Sequence, residues 1–548
     1  MKFATLIILD GWGIAPPGNG NPISLATLAY YKYLLNTFPH GELKASGEAV
    51  GLPRGEDGNT ETGHLNLGAG RIVYQNLPRI NMSIADGTFF KNEAFLSAIN
   101  HAKKNNSNLH IIGLVGSGGV HSNIEHLFAL LELAKEQQFD RIFLHLFTDG
   151  RDSPPQSALI YLEQVEEHLR NFKLGKIASI MGRYFAMDRD KHWDRIEKAF
   201  FALTQGQGVT ASNYKEAIQN AYAKNQTDEF IEPTIIYEDG HPLTTIRQND
   251  SVIFFNFRID RPRELTKTFT AEDFEKEANK TTFDPFAVKY FKKHEAELGS
   301  QVNPFARGPK IQNLFFVSMT EYASDIKVSA IAFPPARVGY PLGRVISERG
   351  LRQLRLSESE KERFVTYYFN GHQEIVYPGE ERIIIPSPKV PTYDLKPEMS
   401  AFELTHEIIN QVSLEKFTLI VINFANPDMV AHTGSLGATI RAVEVIDKCL
   451  SQIVPTILEH GGYLLITGDH GNAEELIDPQ TGGVDTEHSI NPVPFIAIGK
   501  PFLHHTDTLP MGILADIAPT ILALLGIPKP SDMSGRNLLQ NLEKLYNS

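Results

Sequence analysis

The segment YLLITGDHGN (residues 463–472) joins an apolar run to a polar motif, and it decides the fold class of this chain. Residues 463–467 are mostly apolar, which is typical of a β-strand that is buried on both faces of a sheet. Asp469 and His470 follow at the point where such a strand ends. Open α/β sheets place their ligand sites at the carboxyl ends of their strands. The segment therefore predicts a parallel or mixed sheet with a candidate metal site at its edge.

Similar apolar runs recur along the chain and alternate with helix-like stretches. The clearest runs cover residues 3–9, 109–115, 141–147, 251–255, 314–317, 364–369, 419–422, 463–467 and 494–498. Apolar residues between Ile440 and Ile453 recur every three or four positions, as on the buried face of a helix. Residues 123–137 and 157–169 also predict helices. Buried strands that alternate with helices predict the α/β class.

The composition limits the compartment and the partners. The chain has 548 residues, and its 52 Lys and Arg against 65 Asp and Glu give a net charge of −13. This acidic balance disfavours nucleic acid and anionic membranes, and no apolar run is long enough to span a membrane. The single cysteine, Cys449, cannot form an internal disulfide, which favours a reducing compartment. We therefore expect a cytoplasmic, monomeric protein with a small-molecule substrate and no nucleic-acid or membrane partner.

Two places indicate domain joints. One follows Gly70 and Arg71, where a glycine-rich stretch ends, and the other is the proline pair at residues 334–335. If both joints are real, residues 75–335 form a domain inserted into a discontinuous one of residues 1–74 and 336–548, although these patterns alone do not show that the two outer pieces come together. The charged, irregular segment 281–310 is expected to decorate the surface.

Side chains that commonly bind metals gather at the ends of the predicted strands. They are Asp10, Asp428, His432, Asp469, His470 and His488. Any one of them alone is more simply a turn residue, a helix cap or a hydrogen-bonded histidine. Six of them at successive strand ends predict a two-metal site that activates a nucleophile for phosphoryl transfer. A set of carboxylates and imidazoles suits manganese, zinc or iron better than magnesium or calcium.

The candidate nucleophile lies in the motif GNTETGH (residues 58–64). Thr60 and Thr62 stand in a predicted turn without hydrophobic periodicity, so packing does not explain them. A hydroxyl group is a weak nucleophile until a metal or a base lowers its effective pKa. The alternative is a threonine that caps a helix, with a glutamate nearby.

A second group of candidate residues is mostly cationic and lies in the middle third of the chain. It comprises His121, Arg151, Asp152, Arg183, Arg189, Arg258 and Arg261, and Lys361 adds a further donor. The planar guanidinium group binds carboxylate and phosphate oxygens in pairs, which suits a small substrate with two anionic groups. The alternative is a set of surface salt bridges. The positions of these arginines beside predicted strand ends and glycine turns favour substrate binding.

These motifs, taken in order, resemble those of the cofactor-independent phosphoglycerate mutases of the alkaline phosphatase superfamily. The resemblance runs nearly from end to end. It rests on ILDGWG (8–13), GHLNLGAGR (63–71), DGRD (149–152), MGRY (181–184), MDRD (187–190), NFR (256–258), Glu360-Lys361, residues 428–432 and GDHGN (468–472). It implies an alkaline-phosphatase-like domain with an inserted α/β phosphotransferase domain.

The resemblance also implies roles for the candidate residues. Two Mn²⁺ ions would be bound, one by Asp428, His432 and His488, and the other by Asp10, Asp469, His470 and the nucleophile Thr60. Thr60 would take the phosphoryl group from 3-phosphoglycerate and return it to the 2-hydroxyl of the reoriented glycerate. His121, Arg151, Asp152, Arg183 and Arg189 would hold the glycerate, with Asp152 as the general base. Arg258, Arg261 and Lys361 would bind the phosphate.

The chain departs from the family pattern at several of these motifs. Thr60 replaces the family's serine, and its extra methyl group stiffens χ1 and crowds an in-line attack. Thr62 replaces a valine, Ser117 an aspartate and Asn123 a second histidine, and Glu487 stands where a small residue is common.

Three hypotheses follow from the sequence. The first is an isomerase that interconverts 3- and 2-phosphoglycerate through phospho-Thr60. The second is a metal-dependent phosphatase, or a mutase of another small phosphate ester. The third is a non-catalytic descendant, which the intact set of six metal-type side chains disfavours.

Overall fold

The computed structural model describes residues 2–280, 303–478 and 481–546. The predicted α/β class is confirmed. Most of the segment that was expected to decorate the surface, residues 281–302, lies outside the described residues.

Strands and helices alternate along most of the chain. The strands are β1 (Ala4–Leu9), β2 (His40–Lys44), β3 (Leu109–Val115), β4 (Ile142–Thr148), β5 (Lys176–Gly182), β6 (Val209–Ala211), β7 (Thr234–Glu238), β8 (His241–Pro242), β9 (Ser251–Phe254), β10 (Phe315–Thr320), β11 (Ala330–Phe333), β12 (Gln353–Glu358), β13 (Glu380–Ile385), β14 (Leu419–Phe424), β15 (Tyr463–Gly468), β16 (Val493–Ile498) and β17 (Gly512–Ile513). The α-helices are Pro22–Leu25, Ala29–Leu35, Thr60–Ala69, Asn76–Ala85, Glu93–Asn105, Ile124–Glu136, Ala158–Phe172, Arg183–Ala186, Trp193–Gln205, Tyr214–Ala223, Arg263–Thr270, Phe274–Glu277, Leu342–Ser347, Ala401–Ser413, Asn426–Ala431, Leu436–Glu459, Ile517–Leu524 and Glu543–Tyr546.

The chain divides into two compact units. The outer unit comprises Met1–Gln75 and Ala336–Ser548, and the inserted unit comprises Asn76–Pro335. The first boundary lies one residue beyond the position predicted from the sequence. The second lies directly after the proline pair.

The outer unit is built on one sheet of strand order β13-β12-β14-β1-β15-β16-β2-β17. Strand β1 is parallel to its neighbours β14 and β15, and β12 and β13 continue the parallel part. The residues of β1, β14 and β15 are all buried, because helices cover both faces. The carboxyl ends of these strands therefore meet at one edge of the sheet.

The inserted unit is built on a second sheet of strand order β11-β10-β9-β3-β4-β5-β7-β6, with β8 paired to β7. From β3 the chain proceeds outward through β4 and β5, and from β9 it proceeds the opposite way through β10 and β11. Strands β3 and β9 are parallel neighbours, so the strand order reverses between them. A crevice forms outside the carboxyl ends at such a switch point.

The predicted strand at residues 364–369 is wrong, because Phe364–Tyr368 forms a π-helical turn. A short aromatic run does not distinguish a strand from a buried helical segment. Here the Phe364 and Tyr368 rings stack with their centroids 5.4 Å apart, as side chains four residues apart on a helix can. A Cβ at Gly68 would lie 2.0 Å from the Phe369 carbonyl oxygen. The absence of a side chain at Gly68 therefore lets the helix Thr60–Ala69 approach the end of this π-helical turn closely.

The predicted turn at Thr60 is also wrong, because Thr60 is the first residue of the helix Thr60–Ala69. All residues of this helix except Glu61 are buried, so it has no polar face. An all-round buried helix gives no amphipathic signal in the sequence.

Strand β12 was not predicted from the sequence. It carries Gln353, Arg355 and Glu358, and all of its residues are buried. Hydrophobic patterning does not detect a buried strand with so many polar side chains. Among the described residues, no helix has both the length and the apolar character needed to cross a membrane.

Candidate active site

Side chains from several strand ends converge on one hydroxyl group in the outer unit. Asp10 directly follows β1, and Asp469 and His470 directly follow β15. Thr60 Oγ1 lies 3.0 Å from His470 Nε2 and 3.5 Å from Asp10 Oδ1. The structure therefore brings the predicted nucleophile together with two of the predicted metal ligands, Asp10 and His470.

The local sequence places the Thr60 hydroxyl at the first turn of its helix. Asn59 is the N-cap, and its side-chain oxygen accepts a hydrogen bond from the Thr62 backbone N–H at 2.9 Å. The Thr62 hydroxyl donates to the Asn59 carbonyl oxygen at 3.2 Å, so this departure from the family pattern has a local partner. The backbone N–H groups and the helix dipole favour negative charge near Thr60.

Lys361 connects the carboxylates to the hydroxyl. Its ammonium group donates to Asp10 Oδ1 and Asp428 Oδ2, both at 2.7 Å, and to Thr60 Oγ1 at 3.1 Å. Burial acts to lower the pKa of Lys361, but the charges of Asp10 and Asp428 outweigh burial and raise it above its ordinary value. Lys361 therefore remains a cation. The sequence grouped it with the arginines of the middle third, whereas the structure places it beside the nucleophile.

The remaining predicted ligands lie around Asp428. Asp428 Oδ1 is 3.2 Å from His432 Nε2 and 3.5 Å from His488 Nε2. The two imidazole nitrogens are 3.2 Å from each other, so both rings aim at a common position. Gly11, with φ of +69°, permits this packing, since a Cβ there would lie 2.8 Å from the Asp428 Cβ.

In the part of the chain that the structure describes, two groups of ligand atoms could hold a metal ion, each with its atoms within 4.8 Å of one another. They are Asp10 with Asp469 and His470, and Asp428 with His470 and His488. His470 thus belongs to both groups, whereas the sequence assigned it to one. His432 lies beside the second group. This set of carboxylate oxygens and imidazole nitrogens suits a divalent transition metal.

The charge of this cluster also fits a bound cation. Asp10, Asp428 and Asp469 are almost fully buried. Burial acts to raise the pKa of Asp469, but the neighbouring His470, His64 and Lys361 outweigh it and lower the pKa to about 2. Burial acts to lower the pKa of His470, but Asp469, Asp428 and Asp10 outweigh it and raise the pKa to about 10. The three carboxylates therefore favour a bound cation, because water does not screen their negative charge in a buried site.

Three buried residues that the sequence analysis did not assign hold the ligands in place. Asn423 donates to Asp10 Oδ2 at 2.6 Å and lies 3.0 Å from His64 Nε2. The other nitrogen of His64 is 3.0 Å from the Thr60 carbonyl oxygen and 3.1 Å from Asp469 Oδ2. Asn472 donates to Asp428 Oδ1 at 2.9 Å. Only the motif membership of His64 and Asn472 was a signal for them in the sequence.

A cleft of about 400 Å³ opens beside this cluster. His432 and His488 line it together with Glu56, Asp57 and Glu487. Cations in solution therefore meet an acidic surface next to the candidate ligands.

In the inserted unit, the predicted cationic residues lie at the carboxyl ends of β3, β4, β5 and β9. Arg183 directly follows β5 and is 2 % exposed. Its Nη1 donates to Asp149 Oδ1 at 2.6 Å and to Asp152 Oδ2 at 2.5 Å, and both aspartates follow β4. Burial acts to raise the pKa of Asp152, but Arg183 outweighs it and lowers the pKa below its ordinary value. Asp152 is therefore a carboxylate with one oxygen engaged by Arg183.

Asp260, which the sequence analysis did not assign, collects several of the predicted residues. Its carboxylate oxygens lie 2.9 Å from Arg189 Nη1, 3.2 Å from Arg258 Nε and 3.7 Å from His121 Nδ1. The other ring nitrogen of His121 is 3.7 Å from Asp152 Oδ2. Burial, followed by the nearby Arg183, lowers the pKa of His121 to about 3, so this imidazole is neutral.

Two predicted arginines are less tightly held. Arg261 Nη1 donates to the Met187 carbonyl oxygen at 3.0 Å. The side chain of Arg151 is 56 % exposed and lies 3.7 Å from Glu229. Among the described residues it forms no ion pair with another predicted site residue, although its charge acts on Asp152.

Two departures from the family pattern have local structural roles in the inserted unit. Ser117 donates its backbone N–H to Ser153 Oγ at 3.0 Å, which joins the loops after β3 and β4. Asn123 is the N-cap of the helix Ile124–Glu136, and its Oδ1 accepts from the Glu125 N–H at 2.9 Å.

The fold and the two clusters define a class: an α/β protein with a candidate metal centre around a hydroxyl group in the outer unit and an arginine-rich cluster in the inserted unit. Residues 80–324 match the family model described as the BPG-independent PGAM N-terminus. The 2,3-bisphosphoglycerate-independent phosphoglycerate mutase of Chloroflexus aggregans is 48% identical over 540 residues, with 97% of this chain and 98% of that protein covered. The protein of the same name from Moorella thermoacetica is 48% identical over 535 residues, with 97% and 98% covered.

Among solved structures, phosphoglycerate mutase from Leishmania mexicana, crystallised at low cobalt concentration, is 28% identical with a TM-score of 0.56. The match covers 98% of this chain and 97% of that one. The chain belongs to the family of 2,3-bisphosphoglycerate-independent phosphoglycerate mutases.

Proposed function

We propose that this protein interconverts 3-phosphoglycerate and 2-phosphoglycerate through a phosphorylated Thr60, without a bisphosphoglycerate cofactor. The observation that carries the proposal is the Thr60 hydroxyl, which lies within 3.5 Å of His470, Lys361 and Asp10 in a chain of this family. A hydroxyl group in ordinary packing does not need a buried carboxylate, an imidazole and an ammonium group around it.

The proposed cofactors are two Mn²⁺ ions. Asp428, His432 and His488 would hold one, Asp10, Asp469 and Thr60 would hold the other, and His470 lies within reach of both groups. When bound, the ions would lower the effective pKa of the hydroxyl and offset the charge of the phosphoryl group. The metal identity is tested by titrating the metal-free protein with Mn²⁺, Co²⁺, Zn²⁺ and Mg²⁺ and measuring the heat of binding by calorimetry.

The proposed role of Lys361 is to stabilise charge at Thr60. Its ammonium group is already within hydrogen-bond distance of the hydroxyl oxygen. As a permanent cation it favours the developing alkoxide and the phosphate oxygens that follow it onto Thr60. Lys361 therefore acts as an electrostatic group and a phosphate ligand and not as the base that removes the proton.

The proposed substrate residues lie in the inserted unit. Arg183, Arg189, Arg258 and Arg261 supply forked donors for the carboxylate and phosphate oxygens of phosphoglycerate, and Arg151 adds exposed charge. Neutral His121 donates or accepts a single hydrogen bond with the glycerate. These residues hold the glycerate while its two hydroxyl groups exchange positions.

Asp152 is the proposed general base. In the first half-reaction Thr60 Oγ1 bonds to the phosphorus as the C3 oxygen–phosphorus bond breaks, and the proton that the Thr60 hydroxyl loses balances the one that the C3 oxygen gains. In the second, the C2 hydroxyl attacks the phosphorus of phospho-Thr60 and its proton passes to Asp152. The bond between the Thr60 oxygen and phosphorus breaks, and the Thr60 oxygen regains a proton in return for the one that Asp152 has taken. Arg183 engages Oδ2 of Asp152, and no hydrogen bond from a described residue engages Oδ1, which suits this role.

The test is a coupled assay that supplies 3-phosphoglycerate and measures 2-phosphoglycerate and free phosphate in the same sample. We expect isomer formation without added bisphosphoglycerate, its loss with a chelator and its return with Mn²⁺. Release of phosphate without isomer would instead establish a phosphatase, and inactivity with every phosphoglycerate and metal would overturn the proposal. We further propose a monomeric, cytoplasmic enzyme, and light scattering of the purified protein tests the monomer.

A further inference from the structure

Glu264 is a buried acidic residue of the inserted unit that none of the proposed roles uses. It lies in the first turn of the helix Arg263–Thr270 and is 7% exposed. Its Oε1 accepts a hydrogen bond from the Lys191 backbone N–H at 2.9 Å. Its Oε2 is also buried, and it has no hydrogen-bond partner among the described residues.

This glutamate lies where two arginine-bearing segments meet. One segment, residues 187–191, carries Arg189, and the other, residues 258–264, carries Arg258 and Arg261. Arg189 pairs with Asp260 Oδ2 at 2.9 Å, and Arg261 donates to the Met187 carbonyl oxygen at 3.0 Å. The bond from Lys191 to Glu264 is a third connection between the same two segments.

Asp188, in the first segment, lies close enough to Glu264 for the two carboxyl groups to interact. Its Oδ2 accepts from the Asp190 and His192 backbone N–H groups at 3.0 and 2.9 Å. Its Oδ1 lies 3.0 Å from His192 Nδ1 and 2.9 Å from Arg195 Nη1. Every one of these neighbours donates to Asp188, so Asp188 uses both of its oxygens as acceptors.

Two carboxyl groups cannot share a buried space unless one of them holds a proton. Burial, followed by the negative charge of Asp188, raises the pKa of Glu264 to about 8, and the charge of Asp190 adds to this effect. Lys191 contributes its backbone N–H, which opposes the rise. The surrounding His192 and Arg195 direct their donors to Asp188, so they do not replace the proton on Glu264.

We propose that Glu264 is a positioning residue that works as a carboxylic acid, whose proton on Oε2 lets it pack against Asp188 and fix the Arg189 segment to the Arg261 segment. When this proton leaves in alkaline solution, the two carboxylates repel each other and the Arg189 segment loosens. The role in substrate binding rests on the proposed function, whereas the role in ordering residues 187–192 does not.

The first experiment measures hydrogen exchange of residues 187–192 in the full-length protein between pH 7 and 9.5, corrected for the intrinsic rate at each pH. In the wild type we expect protection to fall about tenfold across this range. Glu264→Gln is neutral at every pH and keeps an acceptor for Lys191 and a donor for Asp188. We expect its protection to remain constant. Equal pH dependence in the wild type and the Gln variant would overturn the proposal.

Two further variants separate positioning from simple loss of structure. Glu264→Ala should show, at every pH, the low protection that is expected of the wild type at pH 9.5, since it removes the contacts with the Lys191 backbone and with Asp188. Glu272→Gln, at an exposed glutamate paired with Lys310, is the matched control and should follow the wild type. If Glu264→Ala fails to fold, the comparison of the wild type with the Gln variant still decides the proposal.

The second experiment measures kcat and KM for 3-phosphoglycerate over the same pH range with saturating metal. In the wild type we expect KM to rise more than kcat falls above about pH 8, and in Glu264→Gln we expect this rise in KM to disappear. An identical alkaline rise in KM in both proteins would contradict the role in substrate binding. Absence of mutase activity would overturn the proposed function, while the exchange experiment would still test Glu264.

Discussion

The two candidate sites lie at equivalent places in their sheets but differ in charge and in exposure. In the outer unit, Asp10, Asp469 and His470 are completely buried. In the inserted unit, the side chains of Arg189, Arg258 and Arg151 are 41, 47 and 56% exposed. Under the proposed function, the buried acidic ligands would retain a cation over many turnovers, whereas the half-exposed arginines would bind and release a small anion.

The difference also shows how each unit balances its charges. The acidic cluster has Lys361 as a buried cation that touches two carboxylates. In the inserted unit, Asp260 is one carboxylate among several cationic side chains. The first arrangement has an excess of negative charge and the second an excess of positive charge. Substitutions should therefore affect rate and stability strongly in the outer unit and more modestly in the inserted unit.

The largest effect is expected at Thr60. Thr60→Ala should lower kcat by at least about 10³-fold, because the only proposed phosphoryl acceptor is lost. Thr60→Ser should keep activity within about tenfold, since the hydroxyl group remains. The coupled assay measures both activities, and intact-mass analysis of quenched samples should detect phosphoprotein in the wild type and in Thr60→Ser but not in Thr60→Ala.

Thr62→Ala is the matched control for this substitution, because the Thr62 hydroxyl group lies in the same turn and its hydrogen bonds to described residues are to Asn59. It should retain turnover. Near-normal activity in Thr60→Ala would refute the nucleophile.

The next effect concerns Lys361. In the metal-free protein, Lys361→Met should lower the free energy of unfolding by about 3–5 kcal/mol, because Asp10 and Asp428 lose their buried cation. Added Mn²⁺ should restore more stability to this variant than to the wild type. Thermal unfolding with and without metal measures both quantities.

Lys176→Met is the control, since the Lys176–Glu238 pair is more than half exposed on both sides. It should change the stability by less than about 0.5 kcal/mol. Equal effects of Lys361→Met and Lys176→Met on stability would contradict the expectation that the buried cluster contributes more than a surface ion pair.

A smaller, pH-dependent effect is expected at His121. The folded protein holds its pKa at about 3, below the ordinary 6.5, so the unfolded chain takes up this proton first as the pH falls. Stability from neutral His121 is therefore complete above pH 6.5 and declines towards pH 3. Between pH 7 and 5, His121→Gln should gain about 1–2 kcal/mol relative to the wild type.

Urea unfolding followed by Trp193 fluorescence in a Trp12→Phe background reports on the inserted unit, because these are the two tryptophans of the chain. Substitution of the exposed His241 by Gln is the control and should show no such trend. A constant difference between His121→Gln and the wild type across this pH range would contradict the expectation.

The smallest effect is expected at Arg151. Its long contact with Glu229 and its exposure predict that Arg151→Ala changes stability by less than about 0.5 kcal/mol. KM for 3-phosphoglycerate should rise about threefold to tenfold, because charge at the crevice is reduced. Kinetics and urea unfolding measure the two effects. A loss of stability comparable to that of Lys361→Met would mean that the exposed arginine contributes as much to folding as the buried lysine.

Much of the fold and of the ligand set could be predicted from local patterns. The apolar runs marked β1, β3, β14 and β15, and the polar residues at their ends marked Asp10, Asp428 and His470. These signals are local, since a strand and the residue after it are neighbours in the chain. Phe364–Tyr368 and the helix at Thr60 were predicted wrongly because buried aromatic and all-round buried segments carry no distinctive period.

The sequence by itself determined the α/β class and the types of side chain that stand at the strand ends, because both depend on short-range order. Only the tertiary structure decided which of these side chains meet. Lys361 contacts Asp10 across 351 positions, and Glu264 contacts the Lys191 backbone across 73. Such pairs depend on the order in which strands assemble into a sheet, and burial then sets their charges. No local sequence pattern encodes which of these side chains meet or which charge they then carry.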